Sequence, residues 1–545
     1  MLSFPEFATY RGDPRGQDRW TDQSEAAVKQ RRVDQRQLLA ALERIEPGAL
    51  TEGERLNFDL LHRQVREMVE GQRFPNEFLP LNQMSGPQQG LAQVLAIMRP
   101  RDAGGYEDMI GRLEAAGEVI DNAVLWMRKG LEAGVTPPRI TLRDVPQQIR
   151  NQLVDDADAS PMLVAFRDLP ERIDPLLREQ LQARARAAYR ERIVPAYERL
   201  LRFTEEEYLP AARDSIALEA LPDGQAWYAY NVRRMTSTEL TPTQIHDIGL
   251  TEVKRIRAAM DEVIATAGFE GSFAEFLEFL RTDPQFYHSS EEALLREYRD
   301  IAKRADPELM KLFGRLPRTP YGVIEVPSYA AQSQTTAYYM GGSVRAGRPG
   351  YFYANTYALE TRPRWEMEAL TLHEAVPGHH LQRALQDELE DLPWFRQSGG
   401  YTAFTEGWGL YAESLGEEMG FYRDPYARFG QLTYEMWRAI RLVVDTGMHH
   451  LGWTRQQAIE YFKANAGKQE HDIVVEVDRY IVWPGQALAY KIGELKIKEL
   501  RAWATAELGE RFDIRGFHDT VLGSGAVPLA LLEANVRAWV EARRQ

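Results

Sequence analysis

The sequence predicts a mainly α-helical protein with one small antiparallel β-sheet set beside a histidine-bearing helix. Three observations carry the prediction. Most of the 545-residue chain repeats apolar residues at helical spacing between Pro and Gly stops. One interval, 317–358, instead gathers β-branched and aromatic residues into short runs. Just after it, His373-Glu374-Ala375-Val376-Pro377-Gly378-His379-His380-Leu381-Gln382 collects three of the chain's ten histidines around a carboxylate.

Length and composition narrow the architecture. No period of 20–50 residues recurs and no low-complexity linker cuts the chain. One large two-lobed body is therefore expected, with an N-terminal helical lobe over 1–215 and a second lobe over 216–545, joined as a continuous unit. Hydrophobic residues at 44% and charged residues at 27% are an ordinary globular balance. The absence of cysteine excludes disulfides, thiolate ligands and cysteine nucleophiles. A net charge of −15 argues against sequence-independent nucleic-acid binding. No window approaches 18 apolar residues, and Met1–Phe7 lacks a basic stretch followed by an apolar run. The expectation is a cytoplasmic enzyme with no membrane partner.

In chain order, residues 19–46 and 51–72 read as helices divided by Pro47-Gly48, the second opened by the capping box Thr51-Glu52-Gly53-Glu54. Residues 73–103 read as irregular. Tyr106–Ala133 is strongly amphipathic and stops at Gly134. Asp174–Ala212 is one long helix kinked at Pro195. Residues 214–240 read as loop. Thr241-Pro242 opens a helix to Ala267, and Ser290 opens another to Asp306. Strands follow at 321–326, 336–340 and 350–354, separated by Gly341-Gly342 and Gly347–Gly350. The edge of such a sheet suits an extended peptide, with Tyr338 as a substrate contact. Helical periodicity returns around 364–390, 402–419, 427–451, 454–466 and 486–508, and Arg441 and Asp445 stand at salt-bridge spacing.

The decapeptide looks like the zinc-hydrolase motif H-E-x-x-H with residues inserted before the second histidine. In the uninterrupted motif, imidazoles at i and i+4 share a helix face and one Zn²⁺ ion, and the adjacent Glu takes a proton from water. His373 and Glu374 fit those roles. The second imidazole is His379 or His380. On a regular helix the first lies about 120° off the face of His373, and the second about 10 Å up the axis. Pro377 clashes with the carbonyl of His373, and Gly378 permits angles other residues avoid. A broken turn that returns an imidazole to the ion is expected. Glu406, in Phe404-Thr405-Glu406-Gly407-Trp408, is the candidate third ligand. Glu413, two turns on, is a candidate partner to a liganding histidine. One Zn²⁺ per chain follows.

The segments 372–382, Thr405-Glu406-Gly407-Trp408, 441–447, Asp478-Arg479-Tyr480 and 484–491 resemble, in order, a bacterial family known as domain of unknown function 885. The resemblance is best over 320–500. It implies kinship with the glutamate-zincin peptidases, alongside carboxypeptidase Taq, oligopeptidases and angiotensin-converting enzyme, which are largely helical with a deep cleft. The family's pattern selects His379 as the second ligand. Its relatives use a His and a Tyr downstream as oxyanion donors, which implies His471 or Tyr480, with Tyr490 as alternative. The fork of Arg479 matches a peptide's terminal carboxylate. The expected function is a zinc-dependent peptidase acting on short peptides, with trimming from the C-terminus as the expected mode. The alternatives are a hydrolase of a non-peptide amide and an inactive binding relative.

Overall fold

The computed structural model describes residues 3–327, 331, 334–343, 347–389 and 392–544. Helix accounts for 69% and strand for 3%. Among the described residues no helix is long and apolar enough to cross a membrane. The chain divides into two compact units, Met1–Gly224 and Gln225–Gln545.

The first unit is built on α1 (Ala103–Ala133). Asp102 caps its start by accepting from Gly105 N–H, and Gly134 ends it at φ 69°. Its apolar stripe, Met109, Ile110, Leu113, Ile120 and Met127, is fully buried. Arg112 on the same helix is also buried. Its Nε donates to the Arg19 carbonyl at 3.1 Å and its Nη2 to Thr9 Oγ1 at 2.8 Å, tying down the N-terminal segment. The kink expected at Pro195 takes a different form. A π turn over Tyr189–Ile193 precedes Pro195, and a second over Thr204–Tyr208 precedes Pro210. The wider turn accommodates the missing proline N–H while the helix continues. Residues 73–103, expected to be irregular, contain the helix Pro87–Ile97. Its Leu91, Val94 and Leu95 are buried, a stripe too short to stand out beside Pro87 and Gly90.

In the second unit the elements that serve function are α2 (Pro242–Thr266), β1 (Tyr321–Glu325), β2 (Ala337–Met340), β3 (Gly350–Ala354), α3 (Met367–Glu374), α4 (His379–Asp387), α5 (Thr402–Ser414), α6 (Pro425–His449), α7 (Glu470–Val482) and α8 (Ala489–Leu508). Helix α6 is buried along nearly its whole length and packs on α2, while α5 packs on α8. Gly407 and Gly493 meet at the second crossing, where a Cβ on Gly407 would lie 2.5 Å from the Gly493 backbone. Lys491, fully buried, fastens α8 to its neighbours through Glu435 at 2.8 Å and Glu252 at 2.9 Å. Such a network, with every charge paired, costs several kcal/mol if one partner is removed. The region 214–240, expected as loop, holds the helix Gly224–Thr236.

The sheet corrects the antiparallel expectation. Its order is β1-β3-β2; β2 pairs antiparallel with β3, and β1 pairs parallel with it. The chain reverses twice between β1 and β3, and β3 then inserts between the other two. β1 and β3 consequently run the same way, and β2 is an edge strand.

Arg441 and Asp445 do not pair. Asp445 instead accepts from Tyr228 Oη–H at 2.6 Å and from Gly485 N–H at 3.1 Å, deep in the unit. Burial pushes its carboxyl up to about 7. A carboxyl whose folded pKa is raised adds stability below its unfolded value, and that stability is lost as pH rises through the folded one. Asp445→Asn removes this titration. Urea unfolding at pH 5 and pH 8 is expected to show wild type losing about 2–3 kcal/mol relative to the Asn variant. A difference that does not change with pH would contradict the assignment.

Candidate functional site

The site is created where one helix stops and another starts. α3 ends at Glu374, and Ala375 N–H still donates to the Thr371 carbonyl at 2.8 Å. Residues 375–378 leave the helical path, with a cis Val376–Pro377 peptide. His380 N–H then donates to the Ala375 carbonyl at 3.0 Å as α4 begins. Gly378 is required here by proximity: a Cβ would stand 1.9 Å from the His373 carbonyl oxygen. Its φ is −77°, so close approach, and not the left-handed angles that glycine permits, explains the residue. Trp408 of α5 holds the break from outside, its Nε1–H donating to the Pro377 carbonyl at 2.9 Å in a buried position. The break brings the rings of His373 and His379 to 4.7 Å between centroids, nearly perpendicular.

Helix α5 supplies the rest. Glu406, Gly409 and Glu413 recur at three and four residues, so they share one face. Glu406 Oε2 lies 3.5 Å from His379 Nε2. Gly409 leaves room for an imidazole, since a Cβ there would lie 2.8 Å from the His373 ring. Glu413 Oε1 lies 2.7 Å from His373 Nδ1 and leaves the other ring nitrogen for a ligand.

One donor atom each from His373, His379 and Glu406 falls within 4.8 Å of the others. Two ligands on one tetrahedral ion at about 2.0–2.2 Å stand roughly 3.4 Å apart, so the His379–Glu406 pair already has that spacing. Two imidazoles and a carboxylate are a hard-to-borderline set, suited to a divalent ion that keeps one position open. The buried Nδ1 of His379 has no hydrogen-bond partner among the described residues. His379 and Glu406 are the more exposed members, at 12% and 22%, whereas His373 is sealed at 3%.

Burial dominates the electrostatics. It pushes the Glu374 carboxyl up, and Glu406 adds to this, while His379, Arg438 and the Tyr339 main chain pull it down. Burial and the neighbouring His379 and arginines hold His373 well below the usual imidazole range. Glu406 overcomes burial to raise His379, and His379 in turn lowers Glu406. Burial takes Glu413 up to about 8 against the pull of Arg438, beside the His373 ring at 2.7 Å.

The other expected site residues are distributed as follows. His380 turns to the sheet: its Nδ1 is 2.9 Å from Tyr339 Oη, its ring packs on Tyr321, and burial lowers it to about 4. Tyr338 stacks on Tyr353, on the strand face opposite Tyr339 and His380. Tyr480 is buried, and its hydroxyl accepts from Arg441 Nε at 2.9 Å and Trp437 Nε1 at 3.1 Å, and bonds Glu476. His471 is exposed in the first turn of α7. Nine residues separate it from Tyr480, half a revolution on a helix, so burying Tyr480 turns His471 outward. Arg479 bonds Gln486 at 2.9 Å and Tyr490 Oη at 3.2 Å, with Glu476 at 3.4 Å.

Sequence reasoning missed Arg438, whose Nη2 lies 3.5 Å from Glu413, and the clearance that Gly409 provides. It also missed Tyr422, whose hydroxyl donates to the Glu413 carbonyl at 2.8 Å. Only Gly409 left a signal, its spacing from Glu406 and Glu413.

The family described as bacterial protein of unknown function, DUF885, matches residues 5–536. A crystal structure of a candidate lipoprotein from Colwellia psychrerythraea is 30% identical over 98% of this chain and 96% of its own, with a TM-score of 0.94. A candidate lipoprotein of unknown function from Shewanella oneidensis is 18% identical over 97% and 96%, with a TM-score of 0.71, and shares the fold. No curated protein matches the chain.

Glu413→Gln removes the carboxyl group that orients His373. Zinc affinity, measured by competition with a chromophoric chelator, is expected to fall about 10–100-fold. His380→Phe, on the sheet side, is expected to leave it unchanged. Equal affinities for wild type and Glu413→Gln would contradict the arrangement.

Proposed function

The chain belongs to the DUF885 family of bacterial proteins of unknown function, and we propose from its site that it is a zinc-dependent peptidase. The observation that carries this is a buried carboxylate, Glu374, one residue from a His₂Glu donor set. When bound by His373, His379 and Glu406, a zinc ion supplies Lewis-acid polarisation of a carbonyl and acidifies water. Glu374 accepts a proton from water and delivers it to the leaving nitrogen, so water and amide become acid and amine. Burial raises its pKa, the direction that suits a group that must both take and return a proton. Glu413 and Arg438 hold the His373 ring. Tyr490, which accepts from Arg479 and keeps its own proton to donate, serves the developing oxyanion in place of Tyr480.

The surroundings favour a substrate with a negative end. Arg438, Arg441 and Arg479 share two carboxylates, Glu413 and Glu476. Arg441 Nη1 and Arg479 Nε are buried without a hydrogen-bond partner among the described residues. A guanidinium cluster of this kind suits a free C-terminal carboxylate, which supports trimming of short peptides from that end. The lipoprotein name of the Colwellia relative favours an extracytoplasmic setting over the cytoplasmic one expected from Met1–Phe7.

A mixture of short peptides, incubated with zinc-loaded protein and resolved by mass spectrometry, tests the reading. Glu374→Gln is expected to bind zinc normally and to lose at least about 100-fold in rate. C-terminal amidation is expected to raise KM about tenfold or more. Undiminished hydrolysis by Glu374→Gln would refute the mechanism.

A further inference from the structure

The segment that leads from β3 into α3 carries a buried cation without a counter-ion. Arg362 is only 8% exposed. Its Nε donates to the Asn355 carbonyl and its Nη1 to the Thr361 carbonyl, both at 3.3 Å. It forms no ion pair with a described residue. Its Nη2 has no hydrogen-bond partner among the described residues, yet it is not sealed from solvent. Glu366, the carboxylate next along the chain, is committed to Lys468 Nζ at 2.6 Å and Tyr434 Oη at 3.4 Å.

This state is unusual within the molecule. A charge taken out of water is costly unless it is paired. Arg438, Arg441 and Arg479 each have a carboxylate within 3.5 Å. Arg112 of the first unit lacks one, but all three of its nitrogens have acceptors. Arg362 has neither remedy. An anion that is not part of the described chain is the partner that fits it.

A second donor stands nearby. Tyr298, on the helix Glu291–Ala305, is buried with its ring edge-on to Phe352 of β3 at 5.1 Å. Its hydroxyl also lacks a partner among the described residues and is also not sealed from solvent. Burial holds the phenol well above its ordinary range; Arg362 opposes this, and Glu366, Glu297 and Glu374 add to it. The hydroxyl therefore keeps its proton and can donate it. Phe352 is paired in register with Tyr339 of β2, whose main chain faces Glu374. Arg362 and Tyr298 thus lie on the sheet side of Glu374, whereas Arg438, Arg441 and Arg479 come from α6 and α7.

We propose that Arg362 and Tyr298 form an anion subsite beside Glu374 that receives the carboxylate of an acidic side chain, so that the preferred peptides carry a Glu or Asp. The free guanidinium nitrogen and the phenol O–H meet the two carboxylate oxygens. The peptide part of this inference rests on the peptidase reading, in which the arginines of α6 and α7 already take the terminal carboxylate; the anion part rests on the two donors alone.

Isothermal titration of the full-length, metal-free chain reads binding with no bond cleaved. The probes are tetra-alanines, N-acetylated and C-amidated, with one Glu at each position in turn, and their Gln isosteres. The side-chain carboxylate is then the only difference within a pair. At one position or more, the Glu peptide is expected to bind at least about tenfold tighter than its isostere. Arg362→Gln is expected to abolish that preference, and Tyr298→Phe to reduce it about threefold. Tyr298→Phe keeps the ring on Phe352, so it decides the question if Arg362→Gln does not fold. Equal binding within every pair, or binding of no probe, would overturn the proposal. So would a preference undiminished in either variant, because another cation would then hold the acid. The peptidase reading is judged separately, on hydrolysis of peptides without acidic side chains, so the two failures are distinct.

Discussion

The candidate site depends on one constraint, the four-residue interruption between Glu374 and His379. An unbroken helix would point the two imidazoles in different directions. The interruption folds α4 back far enough for the rings to meet at 4.7 Å. Three features hold it: the missing side chain of Gly378 against the His373 carbonyl, the His380 N–H to Ala375 hydrogen bond, and the Trp408 indole on the Pro377 carbonyl. The last of these makes the break tertiary. Through that bond α5 helps to select this path from outside the segment.

Helix α5 thereby does three jobs from one length of chain. Trp408 secures the break, Glu406 completes the donor set, and Glu413 fixes His373 from behind, with Gly409 clearing the space between. Placing all of them on a single rigid element limits relative motion among these groups. The tight crossing of α5 with α8 at Gly407 and Gly493, and the Lys491 network that ties α8 to α2 and α6, carry that rigidity into the core. The arginines of α6 and α7 then meet the same cluster from the other side.

Much of this was legible in the sequence because local rules produced it. Helical period and the Gly134 stop located α1, Thr241-Pro242 located the start of α2, and Pro377-Gly378 announced a break. The helices Pro87–Ile97 and Gly224–Thr236 were hidden because Gly and Pro near a short apolar stripe read as loop. Strand positions were readable, but strand order was not, since pairing of β1 with β3 is a long-range choice. The same limit applies to Asp445, which ignores its helical neighbour Arg441 for Tyr228 and Gly485. Helix geometry alone left His379 and His380 open, because the deciding contact, Tyr339 Oη on His380, comes from a distant strand. Arg438 was unreadable for a similar reason: its partner Glu413 sits on another helix.

The central claim is that the broken helix and α5 together make one cation site. X-ray absorption at the zinc edge of the purified protein, loaded with one equivalent, tests it most directly. The account predicts a shell of two imidazole nitrogens and oxygen at about 2.0–2.2 Å. It predicts that one imidazole is lost in His373→Ala and in His379→Ala, with the shell unchanged in His380→Phe. Loss of an imidazole in His380→Phe, or a shell of oxygens alone in the wild-type protein, would contradict it.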